Sequence, residues 1–312
     1  MNITFRQLKL FLALADTGSV SAAARRMHIT QPTASMQLKE VTQAVGMPLY
    51  EVVAKKVHLS DMGRELARTA REMVQTWDAF EQAVDASRGL TRGKLRVAVV
   101  STAKYFMPRL IGAFCRKHPE LDVSLEILNR DGVVQRLQQN LDDLYIMSQP
   151  PAGVDLVDEV FLDNPLVLIA ASGDALAACV QVPIQTLGQR RFILREKGSG
   201  TRMGSDLFFK AQKFRPDVRM ELGSNEAIRE AVAAGLGLGV ISRHALRGLG
   251  QASGVVEVNV PGMPVLTHWH IVHPSGKKLS PVAQAFKAHL QREVLDESAQ
   301  RWPMPGAGDA GL

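Results

Sequence analysis

One apolar stripe constrains this chain more than any other feature. Leu66, Ala70, Met73, Trp77, Phe80 and Val84 follow one another in steps of four and three. That spacing keeps one helical face apolar over about three heptads, while Arg64, Glu65, Arg68, Arg71, Glu72, Asp78 and Glu81 take the other faces. Ser60 is placed to cap this helix, predicted over 61–88. A helix this long cannot bury such a stripe on itself. The stripe needs a second copy of the chain or, alternatively, packing within the same chain. Either way it separates a head, 1–60, from a body that begins after a glycine-bounded break at 89–93, read as a hinge.

The head carries helical spacing three times. Phe5, Leu8, Phe11, Leu12 and Ala15 mark a first helix, with Thr4 as cap and Gly18 as stop. A second, short helix starts near Ser19 and carries Ala22, Ala23, Ala24 and Met27; its small residues allow another helix to approach closely. After the turn His28-Ile29-Thr30, Thr30 caps a third helix, and Pro32 is tolerated because it lies in the first turn. Ala34, Leu38, Val41 and Val45 face inward there. Gln31, Pro32, Thr33, Ser35, Met36 and Lys39 are left at or near the outer face, where short polar groups suit phosphates and base edges in a major groove. Tyr50 to Val53 and Val57 to Leu59 read as two strands, with Lys55 and Lys56 at the tip of a basic wing. Arg25 adds a further cation. The first 60 residues hold 7 bases and 3 acids, so the head supplies most of the net charge of +6. A helical subdomain that binds protein remains the alternative.

The run from Ala23 to Ser35, with Gln31-Pro32-Thr33-Ala34-Ser35 at its centre, resembles the helix-turn-helix signature of the LysR-type transcriptional regulators. Val45 to Tyr50 and Leu59 to Gly63 fit the same pattern. Ala34 departs from the larger apolar residue usual in the family, and Glu51 stands where many members have arginine. The resemblance implies double-stranded promoter DNA as partner, a coiled-coil dimer through the stripe, a tetramer built from such dimers, and contact with RNA polymerase.

From Lys94 onward, strand-like and helix-like segments alternate. Strands are predicted at Leu95–Val100, Val123–Leu128, Leu144–Met147, Phe161–Ala171 (interrupted at Asn164-Pro165), Phe192–Leu194, Val218–Leu222, Leu238–Ile241 and Val265–Val272. Helices are predicted at Ala103–Lys117, Val133–Gln139, Arg202–Gln212, Glu226–Ala234 and Pro281 to about Asp296. The order suggests mostly parallel sheets with helices on both faces. The resemblance implies an α/β sensor of periplasmic-binding-protein type with two subdomains, 94–162 with 267–297 and 163–266. This joins the N-terminal winged helix-turn-helix through the long linker helix. The tail, 298–312, is Gly- and Pro-rich and reads as disordered.

Ligands of such folds bind beyond the carboxyl ends of strands. Ser101-Thr102, Gly198-Ser199-Gly200-Thr201-Arg202 and Ser224-Asn225 each follow a strand and open a helix. Each offers backbone N–H groups and a side-chain hydroxyl or amide. Each is also readable as a plain helix cap. Asn129, Arg130, Ser148, Asn164 and Arg195 complete the candidate set, the arginines making it suit an anion. The expected effector is a sugar phosphate, a carboxylate or a dinucleotide, with no bound cofactor and no metal.

Asn140 to Pro151, Phe161 to Leu166, Arg195 to Arg202, Glu221 to Ile228 and Gly276 to Phe286 resemble the regulators of carbon-fixation (RuBisCO) operons and of CO2 uptake. That resemblance implies control of carbon-fixation or related genes in response to an anionic metabolite. A solute-sensing protein without DNA activity and a cleft enzyme are the competing readings, and both leave Thr30 to Ser35 unexplained.

Other patterns are weaker. Gly235-Leu236-Gly237-Leu238-Gly239 follows a helix and precedes a strand, the reverse of a dinucleotide loop. Gly198 to Thr201 lacks the lysine of a Walker loop. His268 and His270 share a strand face near His273, but no carboxylate neighbours them in sequence. Asp142-Asp143 reads as a turn, not an acid pair. Cys115 and Cys179 cannot make a disulfide framework. The longest apolar candidate, Ala231–Ile241, carries three glycines and falls far short of the roughly 18 residues of a membrane span, so a cytoplasmic protein is expected.

Overall fold

A computed structural model of the chain describes residues 2–54, 56–87 and 93–299. They form two compact units, one from the first helix through the long stripe-bearing helix together with Gln139–Leu141, the other from the strand at Gly93 onward without those three residues.

In the head, α1 (Phe5–Thr17) begins at a reciprocal cap. Thr4 accepts from the Gln7 N–H, and the Gln7 side chain accepts from the Thr4 N–H at 2.9 Å. Gly18 ends it in the left-handed region at φ +62°, where only glycine is unstrained. Next come α2 (Val20–Arg26), capped by Ser19, and α3 (Gln31–Val45), capped by Thr30 with Pro32 in its first turn. Leu10, Phe11, Leu14, Ala23, Ala34, Leu38, Val41 and Leu49 are sealed in one core. Each large apolar side chain there contributes roughly 1.5–3 kcal/mol by leaving water. Strands β1 (Tyr50–Val53) and β2 (Lys56–Leu59) form the antiparallel wing, and α4 (Asp61–Ser87) follows, with Ser60 Oγ accepting from the Gly63 N–H at 3.0 Å.

The stripe on α4 divides. Ala70 is fully buried in the head core, where Leu66 also packs, together with Ala67 and Val74. Those two stripe positions therefore serve their own chain rather than a partner. Met73, Trp77 and Phe80 are each about half exposed, at 50%, 48% and 58%, and Val84 is half-buried. The predicted hinge lies outside the described residues except for Gly93, which already belongs to a strand.

The body runs β3 (Gly93–Val100), α5 (Met107–Lys117), β4 (Leu121–Leu128), α6 (Arg130–Gln138), β5 (Leu144–Met147) and β6 (Leu156–Ala171). It continues through β7 (Arg191–Arg195), α7 (Gly200–Ala211), β8 (Asp217–Leu222), α8 (Asn225–Ala233), β9 (Leu238–Ser242), β10 (Val255–Val258), β11 (Val265–Pro274) and α9 (Pro281–Ala299). The sheet order is β4-β3-β5-β11-β6-β9-β7-β8, with β10 on β6.

Several expectations are corrected. The sheet is mixed, not mostly parallel. Parallel pairs form at β3–β4, β3–β5, β7–β8 and β7–β9, but β6 and β11 run antiparallel to every strand they touch. The reason is that these two long strands cross from one half of the sheet to the other. Strand β6 is continuous through Asn164-Pro165. Its pairing with β9 begins only at Leu166, so the missing N–H of Pro165 costs no bond there. The helix predicted from Ala103 starts instead as a 3-10 turn, Ser101–Tyr105, and α5 begins at Met107. Strand β10 was not anticipated. Helix α9 extends to Ala299, past the predicted start of the tail; residues 300–312 lie outside the described ones.

Among the described residues no helix is long and apolar enough to cross a membrane. The glycine run at 235–239 spans the helix-to-strand turn after α8 and the first two residues of β9. Asp142 pairs with Arg136 at 2.7 Å, while Asp143 accepts the Arg96 N–H at 2.7 Å, so the two carboxylates point to different partners.

Candidate functional site

Helix α3 is held from below and open above. Ala34, Leu38 and Val41 are anchored in the core, and Gln7 of α1 donates to Glu40 at 2.9 Å. The outer face therefore has a fixed rotation. Gln31, Pro32, Met36 and Lys39 are exposed there, and Thr33 and Ser35 half-buried. Local bonds order the first turn: the Thr30 and Thr33 hydroxyls lie 2.8 Å apart, and Gln31 Nε2 donates to Ser35 Oγ at 3.4 Å. Arg25 is exposed in the last turn of α2. Lys56 is exposed on β2, opposite Val53, rather than in the turn itself. Lys55 lies outside the described residues. Polar hydrogen-bonding groups at the N-terminal end of a firmly seated helix, beside a two-stranded wing, match what a major groove and its phosphates require.

In the body, the candidate effector residues lie in separate groups. Arg195 is the hub. Its guanidinium is only 3% exposed and meets Thr102 Oγ1 at 3.2 Å, Asn225 Oδ1 at 3.4 Å and Ser101 Oγ at 3.4 Å. Asn225 Nδ2 also donates to Thr102 Oγ1 at 3.3 Å. Thus the turn after β3, the end of β7 and the start of α8 converge on one buried cation. Glu196, which sequence reasoning missed, holds the same guanidinium through two bonds at 2.7 and 2.9 Å. A second tie crosses nearby, from Lys104 to Glu226 at 2.8 Å. The Arg195–Glu196 pair is between sequence neighbours and is marked only by that adjacency, whereas the Lys104–Glu226 pair depends on which turns the sheet order brings together.

A second group gathers around the start of α7. Ser199 caps it, and Gly200 packs against Ser148 so closely that a Cβ would lie 2.2 Å from Ser148 Oγ. Gly198 takes φ +88°, again a glycine conformation. Thr201 is buried in the first turn. Arg130 Nε donates to the Gln149 carbonyl at 3.0 Å, and Asn129 accepts from the Gly132 N–H at the start of α6.

Three candidates are committed elsewhere. Arg202 is held by Asp206, by Glu221 at 2.7 Å and by the Arg195 carbonyl at 2.9 Å, so its charge is neutralised at the base of α7. Asn164 accepts from the Ser242 hydroxyl at 2.7 Å, just before the β6–β9 pairing begins. Ser224 caps α8. A groove of about 320 Å³ along β11, walled by Leu207, Phe208, Leu266 and Thr267, includes only Ser148 of the candidate set. His268 and His270 also line it. Each meets an aspartate of β6 that was invisible in sequence: Asp163 at 3.3 Å and Asp158 at 2.5 Å.

His244 follows β9, its ring 5.4 Å from Phe106 and its Nε2 donating to the Asp163 carbonyl at 2.8 Å. Burial holds its pKa below the ordinary histidine value of 6.5. The folded protein therefore binds fewer protons than the unfolded chain. The stability this group contributes is fully present above pH 6.5 and is lost as pH falls through its folded pKa. Denaturant titrations at pH 7.5 and 5.5 should show a smaller acid loss for His244→Phe than for the unaltered chain.

A DNA-reading head joined to a body whose strand-to-helix turns converge on a buried cation defines a ligand-responsive DNA-binding protein. Residues 5–64 match the bacterial regulatory helix-turn-helix model of the lysR family, and residues 88–295 match the LysR substrate binding domain. The chain belongs to the LysR family of transcriptional regulators. It is 39% identical to the HTH-type transcriptional activator CmpR of a Synechocystis strain, over 93% of this chain and 95% of that one. It is likewise 39% identical to the RuBisCO operon transcriptional regulator of Acidithiobacillus ferrooxidans, over 97% and 98%. Among solved structures, the regulatory domain of Synechocystis CcmR in complex with 2-PG is 43% identical. It covers 64% of this chain and 97% of that one, with a TM-score of 0.62. The relatives are named as regulators, not enzymes.

Proposed function

We propose that the chain controls carbon-fixation or CO2-uptake genes in the cytoplasm, and that a phosphorylated carboxylate of the 2-phosphoglycolate type is its effector. The observation that carries this reading is the buried Arg195 at the meeting of three turns, in a domain 43% identical to one solved with 2-PG. The candidate anion contacts are the Ser101–Thr102 turn, Arg195, Asn225 and the Ser148–Gly200 contact with Arg130. In this reading the body divides near 162/163 and 266/267, where β6 and β11 cross between its halves. A ligand bound between the halves biases their packing, and that bias reaches the DNA through α4. Met73, Trp77 and Phe80 supply the apolar face for a second copy, and dimers pair into tetramers that place RNA polymerase at the promoter.

Calorimetric titration of the full chain with 2-phosphoglycolate tests the effector. Binding of neutral ligands only would overturn it. For the head, genome-wide mapping of bound DNA supplies the operator, and gel shifts then compare variants. Gln31→Ala and Lys39→Ala should each weaken operator binding about tenfold, through lost base-edge and phosphate contacts respectively. The lysine variant should also flatten the salt dependence. Unchanged affinity in both would remove α3 from the interface.

A further inference from the structure

The Arg195 hub has no donor to spare. A guanidinium carries five N–H groups. Here Nε and one Nη2 hydrogen serve the Glu196 carboxylate at 2.7 and 2.9 Å, and the other Nη2 hydrogen faces Ser101 at 3.4 Å. The two Nη1 hydrogens face Thr102 at 3.2 Å and Asn225 at 3.4 Å. An anion cannot simply add to this arrangement; it must displace an acceptor.

The acceptors differ in how easily they leave. Thr102 and Asn225 are buried, at 6% and 2% exposure, and bonded to each other. Glu196 is 31% exposed, next to an arginine that is 3% exposed. Its carboxylate is thus the member of the cluster in touch with water, where its charge can be rehydrated. It sits in the side-on, two-oxygen geometry that a carboxylate or phosphate ligand takes on arginine. We propose that Glu196 is an internal competitor, occupying the anion position of Arg195 and setting the ligand concentration at which the site fills. This rests on the effector reading above.

The consequence has a definite sign. An entering anion exchanges one pair of charge-assisted bonds for another, so the contact with Arg195 adds little net affinity while Glu196 is present. Weak anions, whose other contacts do not offset the exchange, stay unbound at low concentration. Removing the charge of Glu196 leaves Arg195 with an uncompensated charge and should tighten anion binding. If the pair instead braces Arg195 for ligand, removing it should weaken binding. The two roles predict opposite directions.

The test is calorimetric titration of the full-length protein with 2-phosphoglycolate and, separately, with inorganic phosphate, at two ionic strengths. Glu196→Gln should lower the Kd of each about tenfold, the size of one charge-assisted contact regained. It should also steepen the salt dependence, since the site then carries a net positive charge. Glu196→Asp, which keeps the charge, should stay close to the unaltered protein. Glu196→Ala provides the same sign should the glutamine variant fail to fold. Unchanged or weaker binding in both neutral variants overturns the competitor role while leaving the effector site standing. Absence of 2-phosphoglycolate binding by the unaltered chain overturns the effector reading and this inference together.

Discussion

Gly63→Ala should uncouple the head from its linker helix and abolish DNA binding, with the body left folded. Gly63 lies in the first turn of α4, and a Cβ there would sit 1.9 Å from the carbonyl oxygen of Leu49. That oxygen is backbone and already accepts the Ser60 N–H at 3.0 Å. Leu49 is itself fully buried, so it cannot retreat without opening the core. The helix must move instead, and with it Ala67 and Ala70, which close that core. Strain of this kind reaches about 3 kcal/mol, the top of the range for overpacking, and is concentrated in a small unit with little stability to lose. Gel shifts should show operator affinity falling by more than a hundredfold, while effector binding by the body is unchanged. Normal operator affinity would mean that α4 can shift at its start without disturbing α3.

The second large effect belongs to Trp269→Ala. Trp269 is fully buried on β11, edge-on to Phe106 at 5.1 Å, and Phe106 in turn meets Phe161 at 6.3 Å. Phe106 directly follows the Ser101–Tyr105 turn, so this aromatic cluster supports the residues that face Arg195. Truncation to alanine should cost about 4 kcal/mol, from lost burial and the cavity left behind. Trp269→Phe should cost much less. Among the described residues the indole Nε1 has no hydrogen-bond partner, and phenylalanine removes that buried donor along with the lost volume. Urea unfolding of both variants measures the difference. In Trp269→Ala, effector affinity should fall as well, because the turn bearing Ser101 and Thr102 loses its support. Equal costs for the two variants would show that shape, not the unpaired donor, governs the site.

The head was legible almost residue by residue, because its information is local. Thr4 and Thr30 are readable as caps from the sequence, and each caps the expected helix; Ser19, readable only as the start of the second helix, caps it as well. Pro32 and Gly18 were read from what their backbones permit, and the core positions of α3 followed from spacing. The body was legible as alternating strands and helices. Its antiparallel middle was not, since antiparallel pairing of β6 and β11 leaves no mark on a buried apolar run. The stripe on α4 was read correctly as apolar but not as divided. Spacing shows which face is apolar, whereas only the packed head shows that Leu66 and Ala70 are already used.

The candidate site separated along the same line. Hydroxyls and glycines at strand-to-helix turns were identified, because those turns have a chemistry of their own. The arginines were identified by type alone, and type could not say that Arg195 becomes a hub while Arg202 is neutralised by Asp206 and Glu221. Lys104 and the aspartates beside His268 and His270 carry no mark in the sequence for the same reason, whereas Glu196 stands next to Arg195 in the chain. The sequence by itself determined the head, the linker helix, the alternating body and the family. Tertiary structure alone decided which charges compensate each other, because an ion pair depends on distance in space. In this fold that distance is set by elements far apart in the chain, as for Lys104 with Glu226 and Asp163 with His268.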